Sequence, residues 1–436
     1  MEKAGIVWVI EHVDRELDVA CATKYLLEKY FQLEVEIVSV QNSVFNLSRH
    51  KNPKLVIVPY FYGVKGTLLE EYVRFWPDAS YFNLSWEQLF YKANQAYKRV
   101  NDNFTKTMVF HHVWGEFFKQ ILLDQGVERG NIFVNGHPAY KLYDEPYRKY
   151  FITRDEIAEK YSLSRSKPWI IFPENYGWGF YSNDHLERIV QRGADRTTVY
   201  ELRDFCRESF SEVIRWCQSL ANTGDVEIIL RPRPTTTTQQ MQEAIQTQIG
   251  NIPEHFYVIK DLTIRDWILA GDIIVSSYST TLIEASVAGK AAFMLTPIPI
   301  PNSLATEWHD KVAKIKSCDE FMKLRDYATS SELNQNLSHW VRESLLANDD
   351  PIMELAKSIV ILYNRTVIEQ NIFVENEVRN KNIFAWILEK FVNKFREYKS
   401  KSFQLYEKGN FGDEEILYRV KSWEYILDKH DFKFNL

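Results

Sequence analysis

Residues 272–295, DIIVSSYSTTLIEASVAGKAAFML, constrain the fold of this chain more than any other stretch. Ile273, Ile274 and Val275 make a short β-branched run of the kind found in parallel strands covered on both faces. Five hydroxyl side chains follow, Ser276, Ser277, Ser279, Thr280 and Thr281, where a helix has to begin. Hydroxyls at that position cap free amides, and those amides together with the helix dipole favour an anion such as a phosphate. A helix is expected over 281–288 with Leu282 and Ile283 turned inward, then a stop at Gly289 and a strand at Ala291–Leu295. Strand, turn, helix and strand in that order imply a doubly wound α/β domain. An ordinary capped helix satisfies the same pattern, so this stretch alone carries both readings.

The same signals recur along most of the chain. Ile6–Ile10 reads as a first strand and 14–30 as a helix, with Leu17, Ala20, Cys21, Leu26 and Leu27 at helical spacing. Further strands are expected at 35–40, 55–59, 107–110 and Ile132–Val134, with a long helical or loop stretch over 70–100. Residues 143–167 read as a helical linker. Strands resume at Trp169–Pro173, 226–230 and 257–259, with a long amphipathic segment over 198–220 and a short helix over 263–270. Beyond about residue 350 strand signals stop. The expected fold is therefore α/β, two Rossmann-like lobes facing a cleft (1–145 and 146–349), with a helical extension over 350–436.

Composition removes several classes of function. A net charge of -6 argues against a general nucleic-acid binder. Cys21, Cys206, Cys217 and Cys318 lie far apart without metal-ligand spacing, which suits a reduced cytoplasmic chain. No run of about 18 apolar residues is present to span a membrane, and the N-terminal strand is too short for a signal peptide. The amphipathic stretch from Asn382 to Lys401 has Ile383, Ile387, Phe391 and Phe395 on one stripe and Lys390, Lys394, Arg396, Lys399 and Lys401 elsewhere. It reads either as a helix packed on the protein or as an attachment to the anionic inner face of the plasma membrane.

Ligand groups collect at expected strand ends. Arg231 and Arg233, with Pro234, leave one strand tip in RPRPTTTT, and the serine turn leaves another; guanidinium forks plus helix amides suit a nucleotide phosphate. Glu284 is placed to reach a ribose hydroxyl or to pack against the helix start. Glu174 ends a strand ahead of a loop containing Tyr176, Gly177 and Gly179, and it is the first candidate for a catalytic carboxylate. Glu11 and Asp14 follow the first strand and are the alternative. His111 and His112, adjacent in a strand, point to opposite faces and do not suit one metal. No metal site is expected.

Several motifs together resemble a known family. RELD at 15–18, NLSWEQ at 83–88, VWGE at 113–116, GHP at 136–138, RPRP at 231–234 and SSYSTTLIEASVAGK at 276–290 are similar to the surface-carbohydrate-biosynthesis proteins, glycosyltransferases of the GT-B fold. The resemblance covers about residues 6–297. It implies transfer of a sugar from a nucleotide-sugar donor, held mainly by the second lobe, to a glycan or glycolipid acceptor held by the first, without a metal or further cofactor. Capsule or lipopolysaccharide assembly is the setting it implies. Among similar proteins are transferases of Kdo and related sugars from CMP donors, in which a His-Pro pair contacts the nucleotide and a Ser-Ser pair its phosphate. Ser276 and Ser277 match that serine pair, whereas Arg233 and Pro234 stand where His-Pro is found. On the acceptor side the resemblance implies Arg15, Glu16, Trp114 and His137. A nucleotide-sugar 2-epimerase and a non-catalytic glycan-binding or nucleotide-sugar-binding assembly protein are the alternatives.

Overall fold

The computed structural model describes residues 5–40, 53–64, 70, 72–73, 76–92, 98–327, 335–365 and 411–429. The chain divides into two compact units. One comprises Met1–Leu89, Ala96–Tyr150 and Arg342–Leu436, the other Phe90–Gln95 and Phe151–Val341.

Among its described residues the first unit is built on a parallel sheet of six strands: β1 Ile6–Ile10, β2 Val35–Ser39, β3 Leu55–Val58, β4 Ser80–Asn83, β5 Val109–Val113 and β6 Ile132–Val134. Their order is β2-β1-β3-β4-β5-β6. Runs such as IVWVI and LVIV are buried at every position, as strands covered on both faces require. β1 and β6 fall on the expected bounds. β4 lies inside the stretch expected to be helix or loop, and its polar ends explain why. Asn83 is buried because its Nδ2 donates to Phe61 O (3.1 Å) and its Oδ1 accepts from Ser85 N (3.1 Å), partners that local sequence does not display. β5 runs to Val113, so His111 and His112 lie within the strand rather than beyond it.

The helices Pro351–Asn364 and Asp413–Lys429 belong to this unit, both packed on the helix Asp18–Phe31 that follows β1. The contact with the second of them is specific. Arg419 pairs with the buried Asp18 and donates to Glu415 Oε1 (2.7 Å), while Trp423, fully buried, stacks on Tyr150 with ring centroids 4.1 Å apart and planes 9° from parallel. The stretch from Asn382 to Lys401 lies outside the described residues.

The second unit also has six parallel strands among its described residues: β7 Trp169–Pro173, β8 Glu227–Arg231, β9 Phe256–Val258, β10 Ile273–Ser276, β11 Ala291–Leu295 and β12 Ala313–Ile315. Their order is β12-β11-β10-β7-β8-β9. Counted within the unit this is 3-2-1-4-5-6, the order of a dinucleotide-binding sheet. The 26-residue helix Arg196–Ala221 covers one face, burying Phe205, Phe210, Ile214 and Leu220 in the main core. Strand order reverses between β7 and β10 here, and between β1 and β3 in the first unit. In open parallel sheets ligands sit outside the carboxyl ends of the strands at such points.

Removing the Trp423 ring should leave a cavity between two helices and Tyr150. Trp423→Ala is expected to lower unfolding stability by roughly 3–5 kcal/mol, measured by urea denaturation, with Trp423→Phe recovering most of the loss.

Candidate functional site

The reversal point of the second sheet is held by two hydrogen bonds between strand ends. Glu174 N donates to Arg231 O (2.9 Å), extending the β7–β8 ladder, and Ser276 Oγ donates to Pro173 O (2.6 Å), joining β10 to β7. Glu174 therefore leaves β7 directly beside the serine turn. Its carboxylate is only 4% exposed. Oε1 accepts from Tyr176 N, whereas Oε2 makes no well-aligned hydrogen bond among the described residues, and the Arg233 N–H stands close to the carboxylate. Burial raises the Glu174 pKa, opposed by the Tyr176 N–H and by the charge and backbone N–H of Arg233.

Arg233 lies across the turn after Glu174. A Cβ on Gly177 would stand 1.9 Å from Arg233 Nη1, so glycine is required for that approach. The Arg233 charge also reaches Tyr278. Tyr176 is fully buried; its hydroxyl and Ser277 Oγ lie near each other without reaching hydrogen-bond geometry, and both lack a partner. Glu174, Tyr176, Arg233 and Ser277 are thus one polar group in an otherwise apolar interior.

The two arginines of RPRP have different surroundings. Arg231 Nη2 donates to Leu262 O (2.7 Å), a non-glycine residue held at φ 65°, so this guanidinium clamps the turn after β9. Pro234 is exposed, and its carbonyl accepts from Lys260 Nζ (2.7 Å), which also bonds Thr236 O.

In the serine turn the capping is done by Ser279, whose Oγ accepts from Thr281 N (3.3 Å) and Thr281 Oγ1 (2.9 Å). Thr280 occupies the cap position with helical angles and makes no side-chain cap, and the helix Thr281–Val287 is short. Glu284, half-buried, sits in its first turn. Two groups that sequence reading missed complete the turn. Tyr91 Oη donates to Tyr278 O (2.6 Å), and the Tyr91 ring meets Tyr278 edge-on at 5.6 Å and His309 at 6.3 Å. Burial pulls the His309 pKa down to about 4 and leaves Nε2 without a partner. The TEWHD run beyond β11 was the available signal for His309; none marked Tyr91.

The first unit carries its own charged cluster after β1. Glu16, fully buried, accepts from Glu11 N (3.0 Å), His12 N (3.3 Å) and Arg15 Nη2 (2.8 Å), closing the π-helical turn Val13–Leu17. Arg15 also reaches Glu11 (3.4 Å) and Glu87 (3.3 Å), and Glu87 pairs with Lys98. Burial, then the Glu16 charge, push the Glu11 pKa up to about 7 against the pull of Arg15. Asp14 points outward on the same turn as an exposed side chain.

His137 and Trp114 are buried apart from that cluster. The His137 ring lies against Tyr140 (3.7 Å, 11°) and Trp114 (3.9 Å, 32°), and Gln88 bridges Trp114 N (2.8 Å) and His112 O (3.0 Å). NLSWEQ, VWGE and GHP therefore meet in one internal brace. Their glycines admit the chain near residue 345, because a Cβ on Gly115 would stand 2.0 Å from Ser344 O and one on Gly136 2.8 Å from Pro351. His111 and His112 bond Asn83 and Asn135 through Nδ1 (3.3 and 3.1 Å). Among the described residues no group of His, Cys, Asp and Glu is placed to hold a metal ion, and no helix is long and apolar enough to cross a membrane.

No family model and no curated protein matches the chain. Solved structures do match its fold. The S. aureus MnaA-UDP co-structure aligns with a TM-score of 0.51 at 12% identity, covering 83% of this chain and 97% of that one. The Methanocaldococcus jannaschii UDP-GlcNAc 2-epimerase in complex with UDP-GlcNAc and UDP aligns at 0.53 and 10%, covering 82% and 99%. The wall teichoic acid polymerase TagF aligns at 0.52 and 12%, covering 82% and 87%. The chain has the GT-B fold of two Rossmann-like lobes.

Glu11 supplies a pH test of the first cluster. Between the ordinary carboxyl value of 4.5 and about 7 the folded chain holds a proton that the unfolded chain has released. Stability from this group is therefore full below 4.5 and is lost as pH rises through 7. Glu11→Gln should match the parent near pH 4.5 and exceed it in melting temperature at pH 8; equal profiles across that range would remove the assignment.

Proposed function

We propose that this chain is a GT-B glycosyltransferase that takes a sugar from a nucleotide-sugar donor bound by the second unit and adds it to a surface glycan. The observation that carries the reading is the polar group at the reversal point of the second sheet. Burying a carboxylate oxygen and two hydroxyls without well-aligned hydrogen bonds costs free energy. A donor that supplies those bonds removes the cost. In this reading Arg233 and the Ser277–Thr281 turn take the phosphate in place of a metal ion, and Glu174 faces the sugar. Its pKa, raised by burial, suits a group that carries a proton. Arg231 acts by holding the Leu262 turn. Solved structures of this fold that contain UDP and UDP-GlcNAc lend support to a nucleotide-sugar ligand.

A 2-epimerase is the second reading, favoured by Glu11, whose pKa of about 7 suits removing and returning a proton. The two differ in what happens to a donor with no acceptor present. In deuterium oxide an epimerase places solvent deuterium at C2 of the sugar, whereas a transferase leaves that proton in place. We expect no exchange, followed by proton NMR with UDP-linked sugars, which carry a proton at C2; exchange there would replace the transferase reading by the epimerase one.

Arg233→Ala is expected to weaken nucleotide binding by about tenfold or more, since a hydrogen bond to a charged group contributes ~1.5–3 kcal/mol, measured by calorimetry. Glu174→Gln should keep nucleotide affinity and lose turnover. If no nucleotide at millimolar concentration shifts the melting temperature of the parent chain, the donor-site reading falls.

A further inference from the structure

The second unit contains a cavity of about 620 Å³ that adjoins the donor group, with Tyr176 in its wall, and whose other lining residues that group does not include. It opens between the helices Arg196–Ala221 and Thr238–Ile249, beside the turn Gly177–Phe180. Its size falls within the ~300–1,000 Å³ typical of ligand pockets. Its chemistry is unlike that of a phosphate site.

The cations in its wall are already engaged. Arg207 Nε donates to Gly179 O (2.8 Å) and Nη2 to Tyr181 O (3.3 Å), so this guanidinium braces the turn. Arg215 pairs with Glu212 at 2.5 Å. With Glu208 also in the wall, the lining offers an anion no excess of positive charge. What it does offer is a flat apolar surface next to neutral hydrogen-bonding groups. Phe180 is 41% exposed yet held edge-on by Phe210, with ring centroids 5.2 Å apart and planes at 81°. Ser211 Oγ donates to Gln248 Oε1 (2.8 Å), which fixes that amide and leaves its Nε2 donors for a ligand.

An uncharged pyranose has the complementary pattern, one face of C–H groups and a rim of hydroxyls. Its apolar face fits an aromatic ring, and its hydroxyls pair with amide and carboxylate groups without a net charge to balance. We propose that this cavity binds a short neutral saccharide, stacked on Phe180 and hydrogen-bonded to Gln248 and Glu208, as a glycan-holding site separate from the donor site. The two are neighbours: Tyr176 is common to both, and in the turn that follows it Gly177 supports Arg233 while Gly179 and Phe180 line the cavity. Binding here does not depend on the transferase reading, which bears only on which glycan the site meets.

The test is saturation-transfer NMR on the full chain with millimolar maltotriose, cellotriose, chitotriose and a galactose trisaccharide, with and without saturating UDP. We expect transfer to the ring protons of at least one of them, retained with UDP and reduced at least fivefold in both Phe180→Ala and Gln248→Ala, each melting like the parent. The proposal is overturned if none of the four gives a signal, if UDP abolishes the signal, or if both variants leave it intact. The UDP-induced melting shift is read on the same samples. A shift without saccharide signal sinks the cavity proposal alone, and a saccharide signal from a chain whose melting temperature no nucleotide shifts sinks the donor reading alone.

Discussion

Both sheets are parallel and buried on both faces, and that constraint organises everything else in the chain. A strand such as IVWVI or WIIFP has no solvent-facing side on which to place a polar residue. Polar side chains are pushed to strand ends, where the ladder stops and loops supply partners. Glu11, Glu174, Arg231 and Ser276 all stand at or directly beyond such ends. In open parallel sheets the points where strand order reverses are also where a ligand can be received.

Within this arrangement the polar groups divide by whether the protein itself satisfies them. Glu16 accepts two backbone N–H groups and the Arg15 guanidinium and thereby closes a turn. Gln88 and Asn83 join neighbouring strands from inside. Arg231 holds a strained loop. Glu174 Oε2, Ser277 Oγ and the Tyr176 hydroxyl make no well-aligned hydrogen bond among the described residues, although all are buried. Desolvation without compensation is unfavourable, and it is on this ground, rather than on motif alone, that a recognition role is proposed for these groups.

The motifs themselves prove to be of two kinds. NLSWEQ, VWGE and GHP lie far apart in sequence but form a single buried brace around Trp114, His137 and Gln88. Their glycines serve close packing against Ser344 and Pro351. RPRP and the serine turn converge on the second reversal point, although their two arginines act differently: Arg233 stands beside Glu174, and Arg231 is engaged with Leu262. A motif thus marks where side chains are constrained. Whether the constraint is internal packing or an exterior ligand depends on where each polar atom finds its partner.

The amino-acid sequence by itself determined the α/β alternation, the bounds of β1, β6, β7 and β11, and the position of the serine turn at a strand end. These depend on periodicity, capping and β-branching, which act over a few residues. Tertiary structure alone decided that SYFN is a strand, that Glu16 and His137 face inward, and that Tyr91 covers the serine turn. It also decided which arginine stands beside Glu174. Those outcomes rest on partners distant in sequence, 103 residues for Ser276 with Pro173 and 187 for Tyr91 with Tyr278. A buried polar group is stable only where such a partner arrives, and that is a property of the folded chain rather than of its local sequence.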